Sequence, residues 1–110
     1  MPERQEVMLR EEQDGENSRY LWAYLDGQGD LHIDGQDLGP ATAPVSSDGE
    51  YEWFKTIAAS ELPTVLSVLG ASPEDDILEV VGRFRGRESY TLERLLRESD
   101  IPIATHVYSG

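Results

Sequence analysis

At 110 residues the chain has the length of one domain, long enough to bury a core without covalent staples. It contains no cysteine, which removes disulfides, thiolate nucleophiles and cysteine-based zinc sites together. Its 22 acidic residues against 9 basic ones give a net charge of -13, which opposes binding to nucleic-acid phosphates and favours a basic protein partner.

The first residues lack the basic-then-apolar order of a signal peptide, and the apolar runs are too short to span a bilayer. The expected compartment is therefore the cytoplasm, with no membrane contact. Residues 1–18 read as an N-terminal strand or a frayed segment, and residues 19–110 as a single α+β domain. Within the first stretch, Val7 and Leu9 alternate with Met8 and Arg10, and the polar run 13–18 is either a hairpin turn or the boundary of a tail.

Residues 19–26 form a strand by period, with Tyr20, Trp22 and Tyr24 on one face and Leu21, Ala23 and Leu25 on the other. The turn 26–30, with Gly27 and Gly29, returns the chain through Leu31, His32 and Ile33 as a hairpin. Residues 35–49 are punctuated by Gly and Pro without a sustained period and are expected to be a long loop. Residues 50–57 make a further strand, with Tyr51, Trp53 and Ile57 on one side and Phe54 and Thr56 on the other.

The period then lengthens to that of a helix. Leu62, Val65, Leu66 and Leu69 form one apolar stripe, with Ser60 placed to cap the first turn and Gly70 to stop the last. Ser72-Pro73-Glu74-Asp75 announces a second helix with Ser72 as its cap, and Ile77, Val80, Val81 and Phe84 as its buried stripe. A third helix begins near Ser89, turns Leu92, Leu95 and Leu96 inward and ends before Pro102; residues 103–108 alternate as a last strand. Strands followed by helices and a closing strand predict an α+β fold: a mainly antiparallel sheet of four to five strands with about three helices packed on one face.

No catalytic or phosphate-binding motif is present. Asp26, Asp30, Asp34 and Asp37 do not match the spacing of a calcium loop, and turn capping accounts for them. Glu74, Asp75 and Asp76 fit a helix start, where the dipole favours acids. His32 and His106 form a metal site with Asp34 only if the last strand lies beside the first hairpin. Glu79 with Arg83, Glu93 with Arg97 and Arg94 with Glu98 are spaced as ion pairs along helices. No metal and no cofactor is expected. Two features are left: 12 acids against 3 arginines in residues 1–50, and strand aromatics that either fill the core or serve as recognition anchors.

The order Leu31-His32-Ile33-Asp34-Gly35-Gln36-Asp37-Leu38-Gly39-Pro40, then Tyr51-Glu52-Trp53-Phe54-Lys55-Thr56-Ile57, a helix, and Ile101-Pro102 resembles a group of small, acidic, uncharacterised single-domain bacterial proteins. The likeness covers about residues 20–110 and implies fold more than activity. In size, charge and element order the chain is also more loosely similar to immunity proteins that neutralise toxins. The resulting expectation is a non-catalytic module, immunity- or antitoxin-like, that occludes a basic protein. In it Asp26, Asp30, Asp34 and Asp37 steer and pair with the partner's cations, and Trp22 or Trp53 anchors it. The alternative is a small enzyme or ligand-binding domain using the 35–49 loop over His32 and Asp34. A homodimer would be a further way to cover the second apolar face of strand 19–26.

Overall fold

The alternating segments pair into one antiparallel sheet in a computed structural model that describes residues 5–40 and 49–109. Five strands lie side by side in chain order: β1 (Glu6–Asp14), β2 (Asn17–Leu25), β3 (Leu31–Leu38), β4 (Glu50–Ile57) and β5 (Ala104–Ser109). Between β4 and β5 come a short 3₁₀ turn (Ala59–Glu61), α1 (Leu62–Val68), α2 (Ile77–Val81) and α3 (Glu88–Glu98). The expected α+β fold, a mainly antiparallel sheet with three helices, is the observed one.

Register decides which side chains meet the helices. Ala23 pairs with Ile33, Leu21 with Gly35 and Leu31 with Ile57, so the odd-numbered positions of β2, β3 and β4 share a face. Leu21, Ala23, Leu31, Ile33 and Ile57 are buried there against Val65, Leu66, Val80, Val81, Leu92 and Leu96 from the helices. Each of the buried Leu, Ile and Val side chains contributes roughly 1.5–3 kcal/mol by leaving water. In β1 a bulge between Met8 and Arg10 shifts the register by one residue. A bulge bends its strand and re-aims side chains, and here Leu9 and Arg10, though adjacent, are both buried.

The helices end where local chemistry stops them. Gly70 takes φ 81° after α1, its N–H donates to the Ser67 carbonyl and the Ala71 N–H donates to the Leu66 carbonyl. This is the Schellman arrangement, and glycine fits it because it lacks a Cβ. At the start of α1, Ser60 lies inside the 3₁₀ turn and no side chain caps the helix, contrary to expectation. The second helix also starts later than its sequence suggests. Ser72 and Asp75 close a separate turn through Ser72 N–H to Asp75 Oδ2 (3.0 Å), and the true cap is Asp76, which accepts from the Glu79 N–H at 3.1 Å. The expected pair of Glu93 with Arg97 is replaced, since Glu93 binds Arg10 of β1 at 2.6 Å; Glu79 and Arg83 do approach, at 3.5 Å.

The expected loop 35–49 is shorter than the sequence suggests. Gly35–Leu38 continue β3 in unbroken register with both neighbours, because hydrogen bonds from β2 and β4 on either side outweigh the weak strand preference of Gly, Gln and Asp. Residues 41–48 lie outside the described residues. No helix of the described residues is long and apolar enough to cross a membrane.

Candidate functional site

The register that sends odd-numbered residues of β2–β4 toward the helices sends even-numbered ones to the opposite, helix-free face. Met8, Trp22, Asp34, Phe54 and His106 lie in one cross-strand row, and Glu11, Tyr20, Gln36, Glu52 and Tyr108 in the next. Glu6, Tyr24, His32, Thr56 and Ala104 form a third row. None of the fifteen positions in these rows is a lysine or an arginine. The cations of the described strands, Arg10, Arg19 and Lys55, all occupy positions on the helix side. The cations of the described strands are therefore confined to the helix side, which also carries Glu12, Asp14 and Asp37, while the helix-free face holds acids among aromatics with no lysine or arginine in its rows.

Two clusters of polar contacts shape this face. At one end the Asp26 carboxylate closes the β2–β3 turn, accepting from the Gln28 N–H at 2.8 Å and the Asp30 N–H at 3.1 Å. Its other oxygen lies 2.7 Å from His32 Nε2, while Thr56 Oγ1 is 3.3 Å from Nδ1 and the Tyr24 ring stacks on the imidazole at 4.5 Å. The His32 hydrogen bond, followed by that from Gln28, holds the Asp26 carboxyl below its usual range. Both ring nitrogens are thus engaged in clamping the turn to β4.

At the other end Glu50 and Glu52, two apart on β4, share a side-chain hydrogen bond that raises the Glu52 carboxyl above its usual range, with burial adding to it. Gln36 Nε2 donates to Glu52 Oε1 at 3.1 Å and to Glu50 Oε1 at 3.4 Å. Two carboxyls held this close are relieved by a proton or by an arriving cation.

The six residues expected to form one partner surface do not come together. Trp22 is on the helix-free face. Trp53 is on the other, packed against the core with its indole over Gly35. Asp34 is on the helix-free face but only 5% exposed. Asp37, an odd position of β3, is on the helix side, where burial raises its carboxyl despite the attraction of Arg19 and Arg10. Asp26 and Asp30 are spent on the turn, Asp30 also accepting from the Ala59 N–H at 2.8 Å.

His32 and His106 share the helix-free face with β4 between their strands. Among the described residues no group of three or more His, Asp or Glu side chains is placed to hold a metal. Cavities of 450, 490 and 380 Å³ lie at the β1–β2 turn, beside Ala58 and Pro102, and between α1 and the end of α3, and neither histidine lines any of them.

The sequence did not reveal a third cluster, on the helix side. Arg10, 3% exposed, donates from Nε to Ser89 Oγ at 3.0 Å and from Nη2 to Glu93 at 2.6 Å, with its guanidinium 3.6 Å from the Tyr90 ring centre. Tyr90 in turn donates to Glu12 Oε1 at 2.6 Å. These contacts pin β1 to α3. The only advance signal was an arginine within an apolar alternation.

Neither a family model, nor a curated protein, nor a solved structure matches this chain.

Proposed function

We propose that the protein is a non-catalytic binding module that receives a basic protein on the helix-free face of its sheet, acting by occlusion in the manner of an immunity protein or antitoxin. The observation that carries this reading is the composition of that face: Glu6, Glu11, Glu50 and Glu52 stand around Tyr20, Trp22, Tyr24, Phe54 and Tyr108, with no lysine or arginine in its rows. Aromatic side chains supply contact area at low entropic cost, and a field of one sign speeds the encounter with a partner of the other. Met8 and Tyr108 are 42% and 48% exposed, so apolar surface is offered at both edges of the face.

The proposed site lies away from the four aspartates, since Asp26 and Asp30 are bound in the turn, Asp34 is buried and Asp37 lies on the helix side. The acids that steer are the glutamates of β1 and β4, and Trp22, rather than Trp53, is the anchor. Photo-crosslinking in the native host tests this. A photoreactive phenylalanine analogue at position 22 is expected to capture a protein of basic isoelectric point, whereas the same group at exposed Arg94 on α3 captures none. Adducts formed only from position 94, or only with acidic proteins, would contradict the reading.

A further inference from the structure

The sheet has two outer edges, and they are built differently. Along β1 the edge is blunted: it carries the bulge at Met8–Arg10 and the charged residues Glu6, Arg10, Glu11, Glu12 and Asp14. Natural sheets use such bulges and charges to prevent other strands from pairing with an edge. The β5 edge has none of these devices. Ala104-Thr105-His106-Val107-Tyr108-Ser109 contains no Asp, Glu, Lys, Arg or Pro, in a chain of which 28% is charged, and it pairs with β4 without a register break. Residues 104–108 are all exposed, and Val107 (46%) and Tyr108 (48%) present apolar surface on opposite faces of the edge. Among the described residues no strand pairs with the outer side of β5.

We propose that the outer edge of β5 accepts an extended basic segment of the partner as a sixth strand, an inference that rests on the reading of a basic partner. Backbone hydrogen bonds along an edge supply affinity, and alternate side chains supply selectivity. On the helix-free side, Tyr108 lies level with Glu52, whose carboxyl already shares a hydrogen bond with Glu50. An added strand stands about 9.6 Å from β4, two strand spacings away, a gap that a lysine and a glutamate side chain cover between them. On the other side its apolar residues meet Val107. A second copy of this chain is the poorer occupant, because it brings another -13 and its own β5 offers no cation to Glu52.

The test uses the full chain with a synthetic peptide, acetyl-(Lys-Val)₄-amide, monitored by amide hydrogen exchange and amide chemical shifts. Controls are the Glu-Val peptide and a Lys-Val peptide methylated on every backbone nitrogen. At saturation the basic peptide slows exchange of amides in residues 104–109 by at least about tenfold. Both controls, and the variant E50Q/E52Q with the basic peptide, bind more weakly by about tenfold or more. If the basic peptide binds but perturbs Trp22 and leaves the β5 amides unchanged, the edge inference falls while the basic-partner reading stands. Equal binding of the acidic or the methylated peptide, or no binding at all, overturns the inference. So does a dimer by sedimentation whose β5 amides are protected without peptide, since a second copy then holds the edge.

Discussion

Gly35 is fixed by its neighbour and Gly70 by its backbone. A Cβ at Gly35 would overlap Cζ2 and Cε2 of the Trp53 indole, which lies over it from β4. Gly35→Ala must therefore displace a large ring, and a loss of about 1–3 kcal/mol in urea unfolding is expected, reduced when Trp53→Leu is combined with it. At Gly70 a Cβ would meet nothing within 4 Å, but φ is 81°, so Gly70→Ala is expected to cost about 1 kcal/mol through backbone strain alone. Two aspartates separate in the same way with pH. The Asp37 carboxyl is raised in the fold, chiefly by burial, so its ionisation opposes folding as pH rises through and above about 4. Asp37→Asn should stabilise the protein at pH 7 and make no difference at pH 3, by urea unfolding at the two values. Asp26 is held low by its hydrogen bonds, so the stability it contributes is present above about pH 4 and is lost as pH falls through its folded value. Asp26→Asn should destabilise at pH 7, with the difference shrinking in acid.

β1 shows how an element can depend on a contact distant in sequence. Arg10 and Glu93 are 83 residues apart, and Arg10 is buried, so Arg10→Met leaves Glu93 without its cation and is expected to cost about 3–5 kcal/mol. Adding Glu93→Leu should recover most of that loss, because the two changes remove one interaction rather than two. Alternation made β2 and β4 legible, down to which of their residues share a face. β3 was legible only as far as Ile33, since Gly35-Gln36-Asp37 has no strand former and owes its conformation to pairing with β2 and β4. The same gap hid the fate of the aspartates. Once β3 runs through to Leu38, period two puts Asp34 and Asp37 on opposite faces, and a single acidic surface containing both is excluded. α2 was misplaced at its start because Ser72-Pro73 closes a turn that resembles a helix cap locally, whereas Asp76 makes the hydrogen bond that defines the cap.

At the scale of the molecule, the confinement of the strand cations to one sheet face follows from the order of residues and the register together. The acidic excess and the strand aromatics were both visible in the sequence, but their combination on one face needed the pairing of all five strands. That arrangement also changes which substitutions are informative. Replacing Asp26, Asp30, Asp34 and Asp37 together would disturb a turn, the buried Asp34 and the half-buried Asp37, so a loss of binding would report on folding. The glutamates at 11, 50 and 52 can be neutralised without touching the turn. The most direct measurement is the kinetics of association between this protein and the basic partner captured from position 22, at two ionic strengths, for the native chain, for E11Q/E50Q/E52Q and for Trp22→Ala. Binding on the acidic, aromatic face predicts that the triple change slows association and flattens its salt dependence, while Trp22→Ala mainly speeds dissociation, by about tenfold or more. Rates indifferent to salt and to both sets of changes would contradict it.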